Sequence, residues 1–197
     1  MAVTRIQLAA CLAIVLTGLT GLAYSAVRDH HFVWDTIPFV LENPWVHEWT
    51  LANVTAMFTE VHRSNWHPVV LLSHALDISI FGYDSGAHHL VNLALHGVNA
   101  LLLFFCTTLM LDLNGVTKMR SLWTGFLTAT IFAIHPQHVE SVAWVVERKD
   151  VLYTLFAFCC LISYLLITRL PNRRWWYNLI PFAFFCLSLG KIGRAHV

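Results

Sequence analysis

The sequence has little charge: Asp, Glu, Lys and Arg make up 12% of its 197 residues, whereas 57% are hydrophobic. A soluble domain carries about a quarter charged residues, so about half of the usual charge is missing. Residues 6–27 and 88–111 contain almost no charge, which places the chain in the membrane class. An ordinary soluble enzyme, a disordered tail and a disulfide-stapled secreted module are therefore excluded.

The chain also lacks an excess of positive charge and an even set of cysteines. Its formal net charge of +1 gives no basic patch of the kind that nucleic acid requires, so no nucleic-acid partner is expected. We interpret the cysteines as small buried hydrophobic residues, not as disulfides or metal ligands. All of them lie in apolar stretches: Cys11, Cys106, Cys159, Cys160 and Cys186.

What is present is a series of apolar segments, which predicts an all-α, multi-span membrane bundle. A helix needs about 20 residues to cross about 30 Å of hydrocarbon. The predicted spans are, in order, residues 6–27, 88–111, 121–134, 151–168 and 176–190.

Basic residues predict the orientation of these spans. Arg5, the 112–120 loop and the 169–175 loop carry most of the basic residues and are expected to face the cytoplasm. The long external loop 28–87 and the loop 135–150 then share the opposite face, although Arg148 and Lys149 lie there against the rule. The two loops richest in polar residues are therefore expected to meet.

The external loop 28–87 has its own helical pattern. Apolar residues recur at helical spacing from Leu51, and a second helix is predicted from Pro68 to about Ile80, with Gly82 just past its end. Both segments are too short to span a bilayer, so we expect interfacial helices with tryptophans at the boundary between water and lipid.

Asp35 is the first candidate for chemistry, because it follows a predicted span and lies beside Trp34. Its carboxylate is either an incompletely solvated general base near the membrane or a solvated loop residue. Asp77 is a second acidic candidate, since it lies inside an otherwise apolar helix and needs a partner if it is buried.

The loop 135–150 holds a second group of candidates. His135, His138 and Glu140 resemble metal ligands, but their spacing matches no common zinc motif, so no metal site is predicted and metal dependence stays open. Arg148 and Lys149 begin a predicted span. They are suited either to binding a lipid phosphate or to ordinary anchoring at the interface.

A polar stripe lies inside the second span. His89, Asn92, His96 and Asn99 are spaced by three and four residues, so they share one helical face. A haem-binding histidine pair is one interpretation. Interhelical hydrogen bonding is favoured, because polar groups at membrane depth usually face the interior of the bundle.

Several strings, taken in order, resemble one family, the transmembrane-and-TPR-containing O-mannosyltransferase-like proteins, which have bacterial relatives. The likeness covers about residues 5–190, and the last string is the most specific. The strings are Phe32-Val33-Trp34-Asp35, Glu42-Asn43-Pro44, Ser64-Asn65-Trp66-His67-Pro68, Leu72-Ser73-His74, Leu76-Asp77, Phe81-Gly82, His88-His89-Leu90, Asn92-Leu93 and the segment His135 to Leu152.

The resemblance implies a C-type glycosyltransferase fold and transfer of a sugar, typically mannose, from a polyprenyl-phosphate donor to a protein hydroxyl. On this basis Asp35 is the expected catalytic base. Donor or acceptor contacts are then expected at Arg148, Lys149, His135, His138, Glu140 and Asp77. Membrane lipid, lipid-linked sugar and a protein acceptor are the implied partners, in the bacterial inner membrane or, for a eukaryotic host, the endoplasmic reticulum.

One position departs from the family pattern, because a second acidic residue usually follows the loop aspartate and here Thr36 stands instead. Three explanations stay open: Asp35 suffices, Glu42 or Asp77 assists, or activity is lost. Two other functions also remain: a non-catalytic anchor for a TPR interaction scaffold, and a transporter or haem-carrying bundle.

The family carries TPR repeats after its membrane region, and none are present in this sequence. Residues 192–197 resemble a translated sequencing adapter, and Lys191 is compatible with the same frame. We therefore expect residues 1–191 to be a truncated transmembrane domain that is inactive by itself. Partners that bind through TPR repeats are expected of the longer protein.

Overall fold

The computed structural model describes residues 4–63, 65–189 and 192–193 and is built almost entirely of helices. Its α-helices are, in chain order, α1 Arg5–Ala23, α2 Leu51–Thr59, α3 Pro68–Phe81, α4 Ser85–Leu113, α5 Lys118–Ile134, α6 Val139–Ala143, α7 Arg148–Ile167 and α8 Leu179–Ser188. Two short strands, β1 Asn65–Trp66 and β2 Ile192–Gly193, pair antiparallel. The all-α prediction is confirmed.

Three helices of the described chain are long and apolar enough to cross a membrane: α1, α4 and the continuous segment Val145–Ile167 that contains α7. The other two predicted spans coincide with α5 and α8, which have 17 and 10 residues. The chain is thus a membrane protein by these three helices. The number of spans beyond three remains a prediction.

The first core lies between α1, α4 and α5. Its buried side chains include Leu16 of α1, Phe104 of α4 and Leu122 of α5. Gly125 allows α5 to approach α4 closely, because a Cβ atom there would lie 2.9 Å from the carbonyl oxygen of Phe104. Small residues at such contacts let helix backbones pack directly, which is the usual basis of helix association in membranes.

The external loop folds into a cap in which α2 and α3 pack around Val46, Met57 and Leu71. The Thr50 hydroxyl accepts a hydrogen bond from the backbone N–H of Asn53. This N-terminal cap stabilises the start of α2. Gly82 follows α3 with a φ of 62°, a conformation that glycine adopts without steric cost. The two predicted loop helices are therefore confirmed.

The polar stripe of α4 is buried and bonds to neighbouring segments. Asn92 donates to the carbonyl oxygens of Trp144 and Val145, and Asn99 donates to that of Val151. A ring nitrogen of His96 lies 3.0 Å from the carbonyl oxygen of Ala133. Hydrogen bonding of the stripe to neighbouring segments is confirmed for Asn92, His96 and Asn99, and it holds α4 against the ends of α5 and α7. The ring nitrogens of His89 are buried without such a bond in the described chain.

Different contacts join the helices at the two ends of the bundle. At one end Tyr24 donates a hydrogen bond to the carbonyl oxygen of His135, so the segments after α1 and α5 meet. At the other end Arg5 and Lys118 both contact Asp112, which joins the start of α1, the start of α5 and the last turn of α4. The loops 28–87 and 135–150 leave from the first of these ends.

The cysteine interpretation holds only in part. No disulfide joins the cysteines, all of which lie in the described chain, and Cys106 is buried. The prediction that all of them are buried was wrong for Cys11 and Cys186, which are exposed on outward faces of α1 and α8. Cysteine is apolar enough for a lipid-facing helix surface, so low polarity alone did not determine burial.

Three sequence-based interpretations fall wholly or partly outside the described residues. They concern Ser64 in the third family string, the end of the fifth span at residue 190, and the tail at residues 191 and 194–197. The backbone pairing of β2 with β1 does not test whether the tail derives from an adapter.

Candidate functional site

The two polar loops meet at one end of the helices. The rings of Trp34 and Trp144 are in edge contact with their centroids 5.3 Å apart. Beside them lies a small cavity of about 70 Å³, which we call the Asp35 cavity. Its polar lining residues are Asp35, His62, Asn65, His67, His74, Glu147 and Lys149.

Asp35 is placed at this cavity by an unusual backbone turn. Trp34 has a φ of 49°, in the left-handed region that non-glycine residues seldom occupy. Within the described residues, the Asp35 carboxylate forms no hydrogen bond or ion pair, and the residue is exposed. Thr36, at the position of the family's second acid, is buried with an exposed fraction of 1%. Asp35 therefore keeps a free carboxylate where the loops meet.

The loop 135–150 supplies an ion pair to the same cavity. The Lys149 ammonium lies 2.6 Å from a carboxylate oxygen of Glu147, and both side chains are mostly buried. From the sequence, Glu147 was noted only as part of the polar run that ends the loop 135–150, and it was given no role. The second carboxylate at the Asp35 cavity is thus supplied by a residue far away in the sequence and not by position 36.

His74 is a second residue to which the sequence assigned no role, although it counted among the polar residues of the external loop. It lines the cavity with an exposed fraction of 2%, and in the described chain neither ring nitrogen has a hydrogen-bond partner. Burial lowers its pKa well below the usual value, and the nearby Arg148 and His88 lower it further. The ring therefore stays neutral, and both of its nitrogens are enclosed by the surrounding side chains.

Arg148 does not reach the Asp35 cavity. It is completely buried, and its guanidinium lies 2.5 Å from a carboxylate oxygen of Asp77. The same guanidinium donates to the side-chain oxygen of Asn92 and to the carbonyl oxygen of His88. The expected partner of Asp77 is thus present. Because both groups are occupied with each other, this geometry gives no support to a donor-binding role for either.

The buried cluster around this ion pair has the form of a metal site. Within the described residues, His74, Asp77 and His88 offer ligand atoms that all lie within 4.8 Å of one another. Arg148 already neutralises the only carboxylate of the set. A divalent cation would therefore add two uncompensated charges to a buried site, at a high desolvation cost. In this arrangement the Arg148 guanidinium compensates the charge of the Asp77 carboxylate.

The three candidates at the start of the second loop lie elsewhere. His138 and Glu140 line a separate surface groove with Asp150 and Thr154. His135 accepts a hydrogen bond from the backbone N–H of Gln137 through a ring nitrogen, which caps the following turn. Burial lowers the pKa of His138, with a smaller contribution from His135.

The structure thus brings Asp35 and Lys149 together and separates them from the other predicted residues. Glu147, His67 and His74 join that site without having been predicted to. The family string that contains Ser73 and His74 was the one available signal for the buried histidine. Its burial and its missing partners are visible only in three dimensions.

Comparison with known proteins gives a consistent result over most of the chain. Mouse protein O-mannosyl-transferase TMTC1 is 31% identical over 161 residues, which cover 77% of this chain and 16% of the relative. Mouse protein O-mannosyl-transferase TMTC2 is 34% identical over 140 residues, covering 68% of this chain and 16% of the relative. Drosophila melanogaster protein O-mannosyl-transferase Tmtc1 is 31% identical over 176 residues, which cover 84% of this chain and 19% of the relative.

The chain therefore spans about a sixth to a fifth of the length of these curated relatives. No protein-family model matches the chain, and no solved structure matches it. The relatives support the family indicated by the sequence strings.

Proposed function

We propose that the chain is part of the membrane domain of a protein O-mannosyl-transferase of the TMTC type, and that the longer protein transfers a sugar to a protein hydroxyl. Mannose on a polyprenyl phosphate is the favoured donor. The observation that carries the proposal is the Asp35 cavity, where a free carboxylate of one loop faces the Glu147–Lys149 pair of the other. The similarity to named O-mannosyl-transferases supports it.

In the proposed reaction, Asp35 accepts the proton of the acceptor hydroxyl while the hydroxyl oxygen bonds to the anomeric carbon of the sugar. The bond between that carbon and the donor phosphate oxygen breaks, and the polyprenyl phosphate leaves with additional negative charge. Lys149 lies at the same cavity and stabilises that charge. No metal is needed to balance these steps.

Glu147 is the proposed substitute for the acidic residue missing at Thr36. Its carboxylate holds the Lys149 ammonium in place at 2.6 Å. Of the other candidate acids, Asp77 is paired with Arg148, and Glu42 lies 4.0 Å from Arg63 on the exposed side of the loop. Neither lines the cavity, so Asp35 with Glu147 is the favoured pair.

His74 is proposed to form part of the inner wall of the cavity as a neutral side chain. The cavity volume of about 70 Å³ admits a few small polar groups and not a whole lipid-linked sugar. The remainder of the donor must therefore contact other parts of the longer protein. For this reason the 197-residue chain is expected to be inactive by itself.

The test uses the full-length protein in membranes with a polyprenyl-phosphate mannose donor and a peptide acceptor. Asp35→Asn is expected to reduce transfer by at least a hundredfold, the usual scale for a lost general base. Lys149→Ala is expected to reduce the rate of transfer as well. Glu48→Gln is the matched control, because Glu48 is an exposed acid of the same loop that does not line the cavity.

Two results would overturn the assignment. Unchanged transfer by Asp35→Asn would remove Asp35 from catalysis, and a loss in Glu42→Gln would then point to the alternative acid. A wild-type protein that transfers no sugar from any polyprenyl-phosphate donor would favour the non-catalytic anchor of a TPR scaffold. The host membrane, bacterial or endoplasmic reticulum, follows from where the full-length gene is found.

A further inference from the structure

A second cavity lies at the opposite end of the bundle from Asp35. It has a volume of about 400 Å³ and is bordered by α1, α4, α5 and α7. We call it the basic groove, and its apolar wall is formed by Ile6, Phe104, Phe105, Leu109, Leu122 and Leu166. A cavity of this size and polarity accepts a hydrocarbon chain more readily than it accepts water.

Positive charge lines the same groove. Arg5, Lys118 and Arg169 line it against the single carboxylate of Asp112, which leaves a net charge of +2. Arg5 and Lys118 share one oxygen of that carboxylate, at 2.7 Å and 3.2 Å. Arg169 forms no side-chain hydrogen bond or ion pair with any residue the structure describes. Its guanidinium is available to an anion.

From this arrangement we propose that the basic groove binds one anionic phospholipid. Arg169, helped by Arg5 and Lys118, contacts the phosphate. One acyl chain lies along Phe104, Phe105 and Leu166.

The position in the membrane agrees with this occupant. The basic groove opens at the end where α1 and α5 begin and α4 and α7 end, which is the end that the basic residues predict to be cytoplasmic. Anionic head groups at such a surface attract Lys and Arg, and each basic residue strengthens binding. The groove combines this attraction with an apolar cavity between the helices. Lipid binding should therefore depend on the residues that line the groove and not on surface charge alone.

The test measures retention of phosphatidylglycerol by the purified chain and by the full-length protein, using native mass spectrometry in a mild detergent. Arg169→Ala is expected to weaken retention about fivefold. Ala9→Phe, which fills the apolar wall, is expected to abolish retention. Arg120→Ala is the matched control. Arg120 is an exposed basic residue at the same end that does not line the groove, so its loss should change little.

Lipid chemistry provides the second comparison. Phosphatidylglycerol should exceed phosphatidylcholine, which lacks a net negative charge, and glycerol phosphate without acyl chains should not be retained. Equal retention of the two lipids, or an equal loss in Arg120→Ala and Arg169→Ala, would overturn the proposal. If the full-length protein retains no lipid, another helix of that protein fills the groove. If this chain forms a dimer that dissociates when lipid is added, a second copy of the chain fills it.

Discussion

Arg148 and Lys149 are adjacent in the sequence and carry the same charge, yet they lie in opposite environments. Arg148 is completely buried and is paired with Asp77 of the external loop. Lys149 keeps 22% of its side chain exposed and lines the Asp35 cavity with Glu147. Successive residues at the start of a helix point about 100° apart, so one faces α3 and α4 while the other faces the cavity.

The difference shows how this site is built. The Arg148–Asp77 pair fixes the start of α7 to the external loop, and the partly exposed Glu147–Lys149 pair is then presented to the cavity from a rigid position. A cation that is needed for structure has its hydrogen bonds occupied, whereas a cation that is available for a ligand keeps access to solvent. Four measurements test this difference between buried structural groups and groups open to the cavity, from the largest expected effect to the smallest.

Removing the buried cation should have the largest effect on stability. Arg148→Leu leaves Asp77 buried without its partner, which should lower the free energy of unfolding by about 3–5 kcal/mol. Unfolding in mixed micelles with increasing denaturing detergent measures this change. Lys149→Leu is the control and should cost at most about 1 kcal/mol, since its ion pair is partly exposed. Similar losses in both variants would contradict the comparison.

The second prediction concerns the coupling between the buried partners. Replacing Asp77 and Arg148 together by leucine removes both charges and leaves neither one unpaired. The double variant should therefore be more stable than the sum of the single changes implies, by about 2–3 kcal/mol. The same unfolding titration on all four proteins gives this coupling energy. Strict additivity would mean that the two residues do not act as a pair.

The third prediction is a pH dependence that originates at His74. Its pKa in the folded chain is lower than in the unfolded chain, so below about pH 6.5 the unfolded state binds more protons. Stability should fall as the pH is lowered through that range, with a contribution of at most about 1.4 kcal/mol per pH unit. The charged and titratable groups facing the ring are Asp77 of its own helix, His88 of α4 and Arg148 of α7.

The check is a series of unfolding measurements between pH 5 and pH 7.5. His74→Leu should flatten the dependence on pH whatever its effect on absolute stability, whereas His31→Leu, at an exposed loop position, should leave it unchanged. A wild-type slope that survives in His74→Leu would assign the titration to another group.

The smallest stability effect is expected at Asp35. Its carboxylate is exposed and has no partner among the described residues, so Asp35→Asn should change the free energy of unfolding by no more than about 0.5 kcal/mol. Together with a loss of transfer in the full-length protein, this result would separate a chemical role from a structural one. A large loss of stability would instead show that Asp35 supports the fold.

Much of the fold was predictable because it depends on local patterns. The long apolar segments predicted the spanning helices, and Pro68 and Gly82 marked the limits of α3. The site was less predictable from the sequence. Asp77 was expected to need a partner, but no spacing in the sequence indicates that the partner is Arg148, 71 positions away. From the sequence, Arg148 and Lys149 had the same expected role, contact with a lipid phosphate. The hydrophobic periodicity of α7 does not show which face of its first turn points into the protein.

The sequence by itself determined the class of this protein, an all-α membrane chain with two polar loops, because apolar length and charge distribution act through the bilayer and not through specific contacts. Its strings also indicated the family. Only the tertiary structure decided which polar groups are free, since burial and pairing depend on side chains far apart in the sequence. It placed Asp35 with Glu147 and Lys149, enclosed Arg148 with Asp77, and left a second, basic groove at the opposite end of the helices.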